Sequence, residues 1–275
     1  MRYSPALFNL PENLLKSIYP IMKYQLTLFF LSIGLLLHAQ DEPELAPAPR
    51  PEVKIYSTSG GELIFSFADV ENGGGSINSN LRFTGFFHLG EYWHFDFTDN
   101  FGMITGFGLR NIGMITKDDG ILTREHVGLF DENDEVKIKR RSYSFGVPLA
   151  LKFGNFNRRT FVFAGAEAEL MFHYKEKLFV NGNKEDKFNE WFSDRTNLLN
   201  PSIFGGIQFP GGVNLKFKYY LLDFLDPDYS ERINGNLVQP YRGLTSNIFY
   251  ISLSVNLRNK FERGDRGRYD EDDRT

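Results

Sequence analysis

Six charged residues, Arg110, Lys152, Glu167, Glu169, Lys216 and Lys218, sit in stretches whose other members are mostly apolar, small or aromatic. Successive side chains of a strand point to opposite faces, so charges at alternate positions gather on one face and leave the apolar residues on the other. Inside a closed tube of strands, such charges could line an ion path and set its selectivity. They could equally pair and fill the tube, because ~8 strands leave room only for side chains or one small ligand. Both signs are present, so filling is the expectation, with at most a narrow pore. A second group, Lys137, Lys139, Arg140 and Arg141, lies where a polar stretch runs into an apolar strand. Cations placed there could pair with lipid phosphates.

Other candidate chemistry is thinner. His88 and His94 share a face but stand about 20 Å apart along a strand, too far for both to bind one metal at ~2 Å. His94 and Asp96 are two positions apart on one face and could act as base and orienter, yet no nucleophile adjoins them. Asp118-Asp119-Gly120 and Asp131 to Glu135 hint at calcium, but their spacing fits no defined loop and solvated acids are the plainer reading. Arg263-Gly264-Asp265 spells an adhesion tripeptide that chance explains. Arg266-Gly267-Arg268 is too brief for nucleic acid. No cofactor or metal is expected, and there is no Cys to form a disulfide or a thiolate site.

The elements that must position these residues are long strands. From Tyr143 to Phe153 every odd position is large and apolar, and the even ones are Ser144, Gly146, Pro148, Ala150 and Lys152. Soluble strands usually stop at ~5–6 residues, whereas one crossing a bilayer needs ~9–11. The same alternation predicts strands at about Glu62–Ala68, Arg82–Phe97, Phe101–Thr116, Thr160–Tyr174, Leu198–Phe209, from Val213 through Tyr219, and at Phe249–Leu257. Four polar loops, one opened by Asn72-Gly73-Gly74-Gly75-Ser76 and three at about 117–136, 175–196 and 223–245, alternate with three short turns after Phe97, Phe153 and Phe209,. Outer-membrane barrels have long loops on one side and short turns on the other. Pro148 cannot donate to a ladder and predicts a local bulge. Glu91 shares the phase of Leu89 and Trp93, so either Gly90 flips the register or Glu91 lies outside the hydrocarbon.

Phe and Tyr, 28 and 13 in 275 residues, favour strands. A net charge of −4 gives no polyanion-binding character,. Met22-Lys23, the apolar run Leu26–Leu37 and Leu37-His38-Ala39 read as a signal peptide cut after Ala39. The expected organisation is an upstream leader at 1–21, the signal peptide at 22–39 and a Pro-rich periplasmic linker at 40–60. A barrel at 61–258 and a charged, disordered tail at 259–275 follow.

Leu81-Arg82-Phe83, Phe95-Asp96-Phe97, Phe101-Gly102, Gly106-Phe107-Gly108-Leu109-Arg110, Val147 to Phe153 and Tyr250 to Leu257 resemble the small porin-like outer-membrane β-barrel family of Gram-negative bacteria, with eight-stranded OmpA/OmpX-type architecture. The resemblance implies outer-membrane insertion with periplasmic termini and specifies no chemistry. The expectation is therefore an all-β, eight-stranded antiparallel up-and-down transmembrane barrel with long outer loops and short periplasmic turns. Its role would be porin-like or structural and non-enzymatic, with lipid, including lipopolysaccharide, as partner. Two alternatives are a partner-docking barrel of an envelope or secretion assembly and an outer-membrane hydrolase with a rim site.

Overall fold

The computed structural model describes residues 53–73, 75–85, 88–117, 121, 123–131 and 133–259. The expected leader, the signal peptide, most of the linker and the tail beyond Asn259 lie outside the described residues, as do Asp118, Asp119, Gly120 and Glu132. Eight strands form the wall: β1 Lys54–Asn72, β2 Leu89–Asp96, β3 Phe101–Lys117, β4 Val136–Asn155, β5 Thr160–Val180, β6 Leu199–Gln208, β7 Val213–Tyr220 and β8 Leu244–Arg258. Each pairs antiparallel with the next in sequence. β8 returns to β1, from Thr58↔Arg258 to Asn72↔Leu244, and closes the ring. Closure leaves no edge of unpaired backbone groups, a requirement wherever water cannot supply partners.

The phase of the alternation sets which side faces out. Phe145, Leu149, Ile251 and Val255 are 40%, 58%, 41% and 50% exposed, whereas Arg110, Lys152, Glu169 and Lys218 are at most 2% exposed. A soluble barrel would bury the first set and expose the second. The chain is built the other way round, as the alternation of Tyr143–Phe153 predicts.

Connections at one end are tight. Thr98 Oγ1 accepts hydrogen bonds from the Asn100 and Phe101 amides at 3.2 and 2.9 Å, and Asn155 Oδ1 accepts from Arg158 N at 3.0 Å. Gly211 and Gly212 supply φ of 83° and 89° after Phe209, a region that costs glycine nothing. All the long connections lie at the opposite end.

Several expectations need correction. β1 starts at Lys54, so Lys54–Gly60 is strand rather than linker. The continuous strand expected at Arg82–Phe97 is divided. Arg82–Thr84 pairs with Ile64–Ser66, and Leu89–Asp96 pairs with Lys54–Gly61, while Gly85 and His88 are not strand. Beside this interruption Arg82 donates to Asn111 O and Oδ1 at 2.9 and 2.7 Å, and His88 Nδ1 accepts from Asn111 N at 3.3 Å. Side chains thus replace the missing ladder.

The polar stretch expected at 175–196 is largely ordered. β5 continues to Val180 and forms a hairpin with Asn183–Trp191. Gly90 introduces no bulge; it sits in register with Gly60 and Gly108. Glu91 does face outward, where Ser59 Oγ and Asn259 Nδ2 donate to its carboxylate. No register shift occurs at Pro148. Instead Gly106 and Phe107 drop out of pairing opposite it, and Thr105 Oγ1 donates to Pro148 O at 2.9 Å. The register shift along β4 lies instead on its other side, in the pairing with β5, between Tyr143 and Ser144.

Candidate functional site

The inward face of β3 is a ruler for the interior. From the turn end it carries Gly102, Ile104, Gly106, Gly108, Arg110, Ile112, Met114 and Thr116, and each level meets different neighbours. At the first level Lys152 Nζ lies 2.5 Å from Asp96 and 3.1 Å from both Tyr56 Oη and His94 Nδ1. His94 Nε2 is 3.1 Å from Thr58 Oγ1. An ammonium can only donate, so Nδ1 accepts from Lys152 and the ring proton sits on Nε2, directed at Thr58. That tautomer is wrong for a base that would deprotonate Thr58. His94 and Asp96 do not bond each other; Lys152 stands between them.

At the Arg110 level the charges converge. Arg110 contacts Glu62 at 3.3 Å, Glu169 at 3.4 Å, and Glu167 through Nη1. Lys218 contacts Glu167 at 2.6 Å and also Glu169, and Lys216 contacts Glu62 at 2.6 Å. Ser144 and Tyr220 donate to Glu169 at 2.5 and 3.0 Å, Ser252 donates to Glu62, and Arg110 Nη2 donates to Tyr92 Oη at 3.2 Å. Three cations and three carboxylates balance here. Gly146 makes the arrangement possible, since a Cβ there would overlap Glu167 Oε1 and press on Arg110.

Of the six charges expected in the lumen, five form this cluster and Lys152 belongs to the first level. Glu62 is the sixth member of the cluster. It is missing from the residues that the sequence singles out, although the outward phase of Leu63, Phe65 and Phe67 points it inward.

Between these two levels lies a small cavity of about 50 Å³ lined in part by Tyr92, Phe161, Phe163, Phe204, Asn214 and Asn256. On the loop side of the cluster the interior is apolar. Ile64, Ile112, Met114, Met171, Ile248 and Tyr250 pack with Phe224, Leu225, Tyr241 and Leu244, which come in from the last long connection and the start of β8. Above them are two further ion-pair groups. Arg140 Nε meets Glu176 at 3.0 Å, and His126 Nε2 meets Glu176 at 2.8 Å. Arg195 meets Glu125 and Glu231 at 2.7 and 3.1 Å. Burial alone would raise the Glu125 pKa, but the hydrogen bond and charge of Arg195 hold it below the usual 4.5.

The second expected set divides by parity. Arg140 faces inward, fully buried against Glu176 and bonded to Thr116 Oγ1 at 2.9 Å, and cannot reach a lipid. This corrects its expected role, for the same alternation that places Lys137, Lys139 and Arg141 outside places Arg140 inside. The register brings Lys139 opposite Lys177, Lys177 opposite Lys187, and Arg141 opposite Lys175. Lys175, Lys177 and Lys187 fall in a stretch whose polarity predicts a loop. The register shift beside Ser144 changes the parity of β5, turning its odd residues outward beyond Phe172. No composition signal marks that shift. Below these cations Tyr143 stacks on His173 at 5.8 Å, and His173 lies 4.6 Å from Trp191.

Asp131 and Asp134, part of the acidic stretch that hinted at calcium, serve their own loop. The Asp131 amide donates to Asp134 Oδ2 at 2.8 Å, and Asn181 Nδ2 donates to Oδ1 at 2.6 Å. Among the described residues no three His, Cys, Asp or Glu side chains form a metal-binding group.

No family model and no curated protein matches this chain. Among solved structures it is similar to Ail, the attachment invasion locus protein of Yersinia pestis, with 10% identity, a TM-score of 0.32, and coverage of 73% of this chain and 99% of that one. It is also similar to the outer membrane protein OprG from Pseudomonas aeruginosa, with 11% identity, a TM-score of 0.29, and coverage of 74% and 95%. For the outer membrane protein AlkL the figures are 13%, 0.32, 79% and 98%. The chain's own closed register and outward apolar belt make it an eight-stranded antiparallel up-and-down transmembrane β-barrel, its interior occupied by paired charges and, toward the loops, an apolar plug.

Proposed function

We propose that this protein is a closed, non-catalytic barrel of a Gram-negative outer membrane, with its long loops at the cell surface and both ends of the barrel chain in the periplasm. The observation that supports this reading is the stacking inside the wall. A balanced cluster of ion pairs around Arg110 lies beneath a layer of buried apolar side chains. Ions cross an apolar constriction poorly because it sheds water. The even strand number returns the chain to the side on which it entered, and the tight turns lie on that same side.

Planar-bilayer recording tests the closed state. The purified, folded protein should insert without steady conductance. Stable, ohmic channels in the majority of insertions would contradict the reading and favour a porin.

A further inference from the structure

We propose that the outward face of the ribbon made by the loop ends of β4 and β5 and by Asn183–Trp191 binds the headgroup of an outer-leaflet lipid carrying more than one phosphate, with its acyl chains against the apolar belt below. The inference deepens the reading above and rests on it for the ribbon's place at the outer surface.

The register carries the argument. Lys139, Lys177 and Lys187 line up across three neighbouring strands, Arg141 lies opposite Lys175, and Lys137 and Lys184 each face Phe179. Like charges directly opposite one another destabilise a sheet, so this face needs an anion. The ribbon's own acids do not supply it. Glu176, Asp186 and Glu190 pair with Phe188, Leu178 and Tyr174, on the face that turns inward. Glu176 is consumed by Arg140 and His126, and Glu190 accepts from Ser193. Glu185 sits in the irregularity between Lys184 and Asp186, outside the ladder. Among the described residues, no carboxylate pairs with Lys139, Arg141, Lys175, Lys177 or Lys187.

The same face identifies the anion as a lipid. Descending β4 it reads Lys137, Lys139, Arg141, then Tyr143, then Phe145, Val147, Leu149, Leu151 and Phe153. Tyr143 joins His173 and Trp191 in an aromatic band, the feature expected where hydrocarbon meets headgroups. A molecule whose chains lie on the lower residues therefore puts its polar end among the cations. Neighbouring strands are ~4.8 Å apart and alternate residues along one strand ~7 Å apart, a grid fine enough to hold two phosphates on one headgroup. A phosphate binds ammonium and guanidinium groups by charge-assisted hydrogen bonds. Lys139 also lies 4.7 Å from the Phe179 ring, which keeps it over the strand surface.

The test uses the full-length protein in detergent micelles, titrated with bisphosphorylated lipid A, with its dephosphorylated form, and with inorganic pyrophosphate. Native mass spectrometry reads bound lipid. The triple variant Lys139→Gln, Lys177→Gln, Lys187→Gln should bind the bisphosphorylated lipid on the order of a hundredfold more weakly, while a variant of two loop cations, Arg232→Gln with Arg242→Gln, should bind as the parent does. The dephosphorylated lipid should bind weakly to all three proteins, and pyrophosphate should displace the lipid only at far higher concentration.

Unchanged affinity in the triple variant would overturn the proposal, as would equal binding of the dephosphorylated lipid. Pyrophosphate binding as tightly as the lipid would show a free-anion site instead. Without lipid the triple variant should melt no lower than the parent, since it loses only repulsions. A lower Tm would mean the lysines hold the ribbon together, and would also overturn the proposal. Conductance in the bilayer experiment would remove the closed-barrel reading and leave these binding outcomes to be judged alone.

Discussion

Arg110 holds Glu62, Glu167 and Glu169 together in a space where Lys216 and Lys218 supply the other positive charges. Replacing it with Met leaves a buried carboxylate uncompensated, a change that typically costs about 3–5 kcal/mol. Urea unfolding of Arg110→Met in detergent should show a loss of that size, and adding Glu167→Gln should restore part of it. An unchanged midpoint would mean that water already compensates these charges. The parity of single residues is legible in the amino-acid order, and it puts Arg110, Glu167, Glu169, Lys216 and Lys218 on the inner face. What parity does not reveal is which charges meet around a closed ring. That depends on the stagger of all the strands, and it puts Lys152 with Asp96 and His94.

At the scale of elements, the irregularity between Tyr143 and Ser144 has the largest consequence. It adds a residue to β5 near Phe172 and reverses the face shown by everything beyond it,. Deleting Phe172 should turn Lys175 and Lys177 inward. A Lys177→Cys reporter should then lose its reaction with a water-soluble maleimide, while the same reporter with Phe172 retained should react freely; equal labelling would contradict the register.

The outer connections are a second element with a testable property. Glu125 has a folded-state pKa below its usual 4.5 because of Arg195. Its pairing therefore stabilises the loops above that pH and is lost as pH falls through the depressed value. Measured as protection relative to the intrinsic exchange rate at each pH, the amides near Glu125 and Arg195 should become less protected as pH falls through that depressed value, and protection that stays constant on acidification would refute the pairing. Long strands such as Tyr143–Phe153 are plain in sequence because lipid on one face enforces strict alternation. The hairpin through Asn183–Trp191 is not. It rises above the apolar belt, where cations replace the apolar residues on the outer face and the inner face mixes Glu176, Asp186 and Glu190 with Leu178 and Phe188, so no polar–apolar period of two marks it.

For the molecule as a whole, the eight-strand count and the sorting of long and short connections can be read from the chain. They follow from two constraints that act on every strand: a membrane's thickness and the need to close. The division of the strand expected at Arg82–Phe97, with Arg82 and His88 bonding to Asn111 where the ladder stops, depends on tertiary partners and leaves no local signature.

The central claim is the direction in which the barrel faces. A nitroxide scan of positions 143–153 in lipid bilayers, reading collision with oxygen against a water-soluble nickel chelate, measures that directly. The account predicts a period of two, with oxygen accessibility high at positions 145, 147, 149 and 151 and low at 144, 146, 150 and 152. Maxima at the even positions, or no periodicity, would contradict it.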